Sequence, residues 1–258
     1  PGIAKVAFTG SLRAGRAIGR VAADRVIPVT LELGGKSPDL VFADADLPAA
    51  ARGAVRGFTV NAGQACIAGS RLLVQRQVMN DFSELVRDEL TRLSTGAADH
   101  DHIGPIITPA QYVRVCGFLD EARREGATVL GGGHPLPGPG PFVPPTAYVG
   151  LPPQSPLLQE EIFGPIGVLV PFDDEAQAVT MANDTPFGLA AGVWTRDLAR
   201  AHRVAYQLQA GQGYVNEYPG GGIETPFGGY KASGIGREKG REALYHYTQL
   251  KTVIMKLE

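Results

Sequence analysis

The sequence predicts an α/β protein with a mainly parallel sheet. Two observations carry this: runs of strand-like residues alternate with segments of helical periodicity along most of the chain, and the first 34 residues read as a single β-α-β unit. Apolar residues occupy 44% of the 258 positions, enough to fill the core of one large domain or slightly more.

In order, the opening unit comprises a strand over residues 3–8, a Thr9-Gly10-Ser11 turn, a helix near 14–23 and a strand over 29–33 that ends in Gly34-Gly35. Asp44 and Asp46 form an N-cap cluster for an Ala-rich helix that runs to about Phe58, followed by the loop NAGQACIAGS and a strand over 71–75. From Val78, apolar residues recur at Phe82, Leu85, Val86, Leu90 and Leu93, the spacing of a helix with one buried face. A second helix is expected over 109–125, with Tyr112, Val115, Cys116, Leu119 and Ala122 on its stripe, leading through Gly126 to a strand over 128–130. Residues 134–145, rich in Pro and Gly, read as a loop, and a strand follows over 166–170. The alternation continues with a helix over 174–182, a strand over 189–194 and a helix over 197–208. Beyond Gly-rich runs at 219–222 and 227–229, a helix is expected near 237–245 and a terminal strand over 250–256, placed to extend a partner's sheet edge.

Charge is nearly balanced, with 24 Lys+Arg against 26 Asp+Glu, so the net charge of −2 does not favour a nucleic-acid partner. No run of 18 apolar residues suits a membrane span, and the amino terminus lacks a basic segment followed by a long apolar one. A cytoplasmic protein is the expectation. Cys66 and Cys116 are expected to be free thiols, since two cysteines cannot staple a chain of this size. Pro1 with a strand-like run almost at once behind it suggests a piece of a longer chain.

Cys66 lies in a loop bordered by Gly and Ala, where a substrate can approach a thiolate closely; the alternative is a small buried thiol. Glu32, 34 residues earlier, ends a strand, where a carboxylate can project into a cleft. Gly10 and Ser11 precede a helix whose free N–H groups and dipole suit a pyrophosphate, with Gly15 allowing close approach; the same turn also serves as an ordinary N-cap. Lys36 and Glu238 have the plain reading of charges paired with neighbours. His100, Asp101 and His102 fall in a loop without four-ligand spacing, so no metal is expected.

The run LELGGKSP at 31–38 followed by NAGQACIAGSR at 61–71 resembles the aldehyde dehydrogenase superfamily. FTGS (8–11), EEIFGP (160–165), NDTPFGLAAGVWTRD (183–197), PFGGYKASGIGRE (226–238) and LKTVIMK (250–256) are similar to its signatures, in its order, so the likeness runs from about residue 5 to 256.

The resemblance implies that residues 1–34 end a Rossmann-like nucleotide-binding domain, 35–232 form the catalytic domain, and 233–258 supply a terminal helix and an oligomerisation strand. It implies oxidation of a small-molecule aldehyde to a carboxylic acid with NAD or NADP, carried by the full-length protein as a homodimer or homotetramer, with this chain alone inactive as a dehydrogenase. Cys66 matches the nucleophile, passing through a thiohemiacetal and a thioester, and Glu32 the base that activates water. Gly10, Ser11, Gly15 and Leu33 match the cofactor-binding positions; Glu161 matches the partner of the nicotinamide ribose, Phe163 the residue beside the ring, and Glu238 a proton path. The Cys66 N–H is one oxyanion donor, the family's second being an Asn from a segment before Pro1, and Asn61 in the cysteine loop does not replace it. Ala65 and Ile67 flank the nucleophile, and Tyr218 and Ile223 suggest a mixed polar and apolar mouth. Two rival readings remain: a catalytically incompetent remnant with an assembly role, and a thiol esterase without hydride transfer.

Overall fold

The computed structural model describes residues 2–258. In chain order its elements are β1 (Val6–Thr9), α1 (Leu12–Asp24), β2 (Val29–Glu32), β3 (Pro38–Val41), α2 (Leu47–Thr59), β4 (Arg71–Gln75), α3 (Met79–Thr91), α4 (Pro109–Arg124), β5 (Thr128–Gly131), β6 (Thr146–Val149) and α5 (Pro156–Gln159). There follow β7 (Ile166–Phe172), α6 (Glu175–Asn183), β8 (Phe187–Gly188), β9 (Ala190–Trp194), α7 (Leu198–Gln207), β10 (Gln212–Val215), β11 (Tyr230–Lys231), β12 (Gly234–Ile235) and α8 (Glu242–His246).

The large sheet runs β10-β9-β3-β4-β7-β6-β5, parallel throughout except where β5 pairs antiparallel with β6. Its central strands β3, β4 and β9 are buried on both faces, and the period-2 alternation of a strand sorts their side chains between two cores. Val41, Leu72, Val74 and Trp194 point to one face with Phe58 of α2 and Phe82 and Val86 of α3. Leu40, Phe42, Leu73 and Val193 point to the other, with Ala178 of α6 and Val204 of α7. A third cluster joins Val115 and Leu119 of α4 to Tyr148, Ile166 and Val168.

A small sheet, β1-β2-β12, carries the opening unit: β1 and β2 are parallel, and β12 returns from the end of the chain to pair antiparallel with β2. Between the sheets lie only residues 33–37, so the carboxyl end of β2 faces the amino ends of β3, β4 and β7. Arg71 fixes this junction: its buried guanidinium donates to the Lys36 carbonyl (3.1 Å) and to the Met181 and Ala182 carbonyls (2.9 and 2.7 Å) at the end of α6. Ser233, fully buried, donates to the Gly34 carbonyl (2.7 Å) and accepts from the Gly188 N–H (2.9 Å).

Several elements differ from the sequence expectation. β3, β6 and β10 were not expected. β3 is central although it begins Pro-Asp, because its Pro38 opens the strand and Asp39 accepts from the Trp194 indole (2.8 Å). Residues 250–256, expected as a strand that extends a partner's sheet edge, join no ladder within this chain and stand exposed. The helix expected near 237–245 shortens to α8, because Gly236, Lys239 and Gly240 take positive φ values that break it. Cys116 is half-buried, not part of the stripe: the core side of α4 is Val115, Phe118, Leu119 and Ala122, and Cys116 sits about 100° around the helix from Val115.

Asp39 gives a prediction. Fully buried, its carboxyl is pushed from 3.8 to about 8 by loss of hydration, against the lowering effect of the Trp194 bond. The folded state therefore holds this proton where the unfolded state has lost it, and stability falls as pH rises from about 4 to about 8. Asp39→Asn keeps an acceptor for Trp194 without the charge, so in thermal melts at pH 5, 7 and 9 it should gain on wild type by up to about 1.4 kcal/mol per pH unit across that window. A pH-independent difference would exclude a protonated Asp39.

Candidate active site

A cleft of about 660 Å³ opens where the two sheets meet, lined by Thr9, Gly10, Ser11, Glu32, Leu33 and Gly34 from the opening unit. Opposite stand Gln64, Ala65, Cys66 and Ile67 from the loop before β4, Glu161 and Phe163 from the turn before β7, Gln111 and Arg114 from α4, and Phe227 and Lys239. The structure thus brings Cys66 and Glu32 to one cavity.

The cysteine loop leaves α2 through Asn61, Ala62 and Gly63, all at positive φ. Asn61 is spent inside this loop, donating to the Gln64 carbonyl (3.0 Å). The loop closes with the Ala68 N–H donating to Ala65 (3.0 Å), which presents Cys66 at the turn. Gly35 packs on the Cys66 carbonyl so closely that a β-carbon there would overlap it. Burial pushes the Cys66 thiol above its ordinary value, the Glu161 and Glu32 charges push the same way, and the N–H groups of Cys66 and Ile67 pull it back.

Glu32 is the last residue of β2 and only 3% exposed, and neither carboxylate oxygen has a hydrogen-bond partner. Loss of hydration raises its pKa to about 7, helped by the Glu238 charge and opposed by Arg237. Glu238 lies nearby because the Phe227 and Glu238 backbones bond reciprocally (2.7 Å each).

Glu161 accepts a long bond from the Gly35 N–H (3.4 Å) and packs against Gly34, where no side chain would fit; burial raises its pKa. Its turn is held by α4: Gln111 donates to the Ile162 and Phe163 carbonyls (2.9 Å each) and Arg114 to the Glu161 carbonyl (2.7 Å). Sequence reasoning missed Gln111 and Arg114, although their i, i+3 spacing puts both on one polar side of a helix it did find. Ser11 is the N-cap of α1, accepting from the Ala14 N–H (3.3 Å), and Gly15 lets that helix lie against Leu33.

Two expectations fail here. Lys36 pairs with no neighbouring charge: it is 1% exposed, its Nζ has no hydrogen-bond partner, and burial together with Arg71 pushes its pKa well below the lysine range. Tyr218 is not at the mouth but buried behind the cysteine loop; Ile223 is exposed, its carbonyl accepting from the Gly240 N–H (2.9 Å) beside Lys239 of the cleft wall.

The sequence profile of the aldehyde dehydrogenase family matches residues 1–253. The chain belongs to the aldehyde dehydrogenase family. It is 42% identical over 263 residues to rat 4-trimethylaminobutyraldehyde dehydrogenase, covering 99% of this chain and 53% of that protein. A betaine aldehyde dehydrogenase from Cereibacter sphaeroides is 44% identical over 253 residues, covering 97% and 52%. The NAD+ complex of an aldehyde dehydrogenase from Bacillus cereus superposes with a TM-score of 0.96 at 41% identity, over 99% of this chain and 52% of that one. The chain therefore spans about half the length of the relatives it matches. Among the described residues, no helix is long and apolar enough to cross a membrane.

The shared cleft makes a prediction about charge. Above its pKa of about 7 the Glu32 carboxylate is ionised and holds the Cys66 thiol up, so Glu32→Gln should move Cys66 alkylation by iodoacetamide to lower pH. The measurement is the alkylation rate of the Cys66 peptide between pH 6 and 10 in a Cys116→Ala background. An unmoved or upward-shifted midpoint would mean that the carboxylate does not act on the thiol.

Proposed function

We propose that this chain carries the nucleophile and the base of an NAD- or NADP-dependent oxidation of an aldehyde to a carboxylic acid. The observation that carries the reading is the pairing, in one cleft, of Cys66 on a tight turn with a buried Glu32 whose oxygens are both unpartnered. In a structural role, a buried carboxylate is normally hydrogen-bonded, so an unpartnered one at a cleft is suited to receive a proton.

The residues present fit one end of a dinucleotide. Glu161 retains acceptor capacity beyond its single long bond, for ribose hydroxyls, and Phe163 and Leu33 add apolar lining to the same cleft. Gly10 and Ser11 place the amino end of α1 at the same cleft, the position suited to a pyrophosphate. When bound, NAD(P)+ would supply the two-electron oxidant that takes the carbinol hydrogen.

The chain's own residues perform the remaining steps. Cys66 Sγ, as thiolate, forms a bond to the aldehyde carbon while the carbonyl π-bond opens to an oxyanion, which the Cys66 N–H stabilises. After oxidation the carbonyl is restored as a thioester on Sγ. Glu32 then takes a proton from water as the water oxygen bonds to the acyl carbon, and the C–S bond breaks to return the thiolate and release the acid. Its pKa of about 7 gives a carboxylate basic enough for that step at neutral pH. Glu238, beside it, is the route by which the proton leaves. Assembly as a homodimer or homotetramer is supported by Leu250, Val253, Ile254 and Met255, apolar and exposed on the segment that joins no sheet.

The test uses the full-length protein containing this segment, with a panel of aldehydes beginning with 4-trimethylaminobutyraldehyde and betaine aldehyde, and with both cofactors. Cys66→Ala should abolish turnover, whereas Cys116→Ala should leave it intact; the reverse would overturn the assignment. The 258-residue chain by itself holds one β-α-β of a nucleotide-binding sheet. It should hydrolyse an activated ester slowly but show no micromolar NAD+ binding in calorimetry, because half a site does not offset the cost of immobilising a dinucleotide.

A further inference from the structure

Tyr218 lies behind the turn that carries Cys66. It is 3% exposed, and its hydroxyl donates to the carbonyl of Ile67, the residue after the nucleophile, at 2.5 Å. Its ring occupies a slot walled by backbone: a β-carbon at Gly57, Gly69 or Gly192 would come within 2.7 to 2.9 Å of it. Tyr214 closes the slot edge-on, with ring centroids 5.0 Å apart at 70°. Three side-chain-free positions, on α2, on the loop before β4 and on β9, thus admit one aromatic ring, whose hydroxyl donates to the Ile67 carbonyl.

That contact completes a grip on the turn. The Gly69 N–H donates to the Gly57 carbonyl (3.2 Å), the Ala68 N–H to Ala65 (3.0 Å), and the Cys66 carbonyl is pressed against Gly35. The carbonyls of residues 65 and 67 are hydrogen-bonded and that of 66 is packed against Gly35, which restrains the peptide planes around the thiol. The N–H groups of Cys66 and Ile67 are then held toward Sγ.

We propose that Tyr218 is a positioning residue for the reaction: by holding the Ile67 carbonyl it fixes the turn that aims the N–H groups of Cys66 and Ile67 at the sulfur and at the oxygen of the bound carbonyl. This rests on the reading of Cys66 as nucleophile. Tyr218 itself touches neither substrate nor cofactor. Its effect arises because donors aimed at a developing charge lose their advantage when displaced by about 0.5 Å.

Tyr218→Phe is the variant of choice, since it keeps the ring and its packing and removes only the donor. Measured by iodoacetamide alkylation in a Cys116→Ala background, its Cys66 profile should move up by about one pH unit, with the rate at pH 8 falling about tenfold. In the full-length enzyme kcat should fall at least about tenfold while KM for aldehyde stays within about twofold. Phe82→Leu, a truncation in the same apolar cluster, is the control for simple loss of stability: it should lower the melting temperature and leave the Cys66 profile in place. A folded Tyr218→Phe protein with the wild-type profile would overturn the proposal, as would an equal shift in Phe82→Leu. Failure of the wild-type full-length enzyme to oxidise any aldehyde would remove the functional reading instead, and the alkylation comparison would still decide the role of Tyr218.

Discussion

Burial of the Glu32 carboxylate without a partner is the constraint around which this molecule is arranged. A carboxylate removed from water and denied hydrogen bonds shifts its proton affinity upward, and here the shift reaches about 7. Such an arrangement persists only if the surrounding backbone is rigid enough to prevent the side chain from swinging out to solvent. The rigidity comes from both sides of β2: β1 and β12 pair with it, the Leu33 N–H donates to the Ser233 carbonyl (2.8 Å), and Ser233 Oγ holds Gly34. The PFGGYKASGIGRE segment, more than 190 residues downstream, thus packs the strand that carries Glu32.

The second consequence is geometric. In an open parallel sheet, sites usually gather at the carboxyl ends of strands, and Glu32 obeys that rule in the small sheet. The large sheet contributes from the opposite edge: the loops bearing Cys66 and Glu161 enter β4 and β7 at their amino ends. The cleft is therefore a junction of two sheets facing each other across residues 33–37, and Gly34 and Gly35 are needed because Glu161 and the Cys66 carbonyl already fill the space a side chain would take. Arg71 on β4 donates to the carbonyl of Lys36, one of these five residues, while its other two bonds hold the end of α6, so the large sheet is tied directly to the junction that follows Glu32.

Much of this was legible in the sequence, for physical reasons that also explain the gaps. Helix α2 announced itself through its N-cap aspartates, and α3 and α4 through apolar periodicity, which are local signals. β3 did not, because Pro38 and Asp39 disfavour strands locally and are accommodated only by a tertiary partner, Trp194, 155 residues away in sequence. The terminal segment has the local alternation of a strand and, expected at a partner's sheet edge, joins no ladder within the chain. Cys66 and Glu32 were singled out by the motifs LELGGKSP and NAGQACIAGSR together with their loop and strand-end settings, but Tyr218 was read as a mouth residue since nothing local reveals that three distant glycines form a slot for its ring. Lys36 likewise read as a charge paired with its neighbours, and only the packed fold shows it sealed away without a hydrogen-bond partner.

The measurement that bears most directly on the account is rapid mixing of the full-length Glu32→Gln enzyme with aldehyde and cofactor, followed by acid quench and mass analysis of the Cys66 peptide. Gln keeps the shape of the side chain but cannot accept the proton of the attacking water, so acylation should proceed and hydrolysis should stall. The account predicts a burst of reduced cofactor close to one per active site and an acyl group retained on Cys66. Steady-state turnover equal to wild type, or an acyl group on any residue other than Cys66, would contradict it.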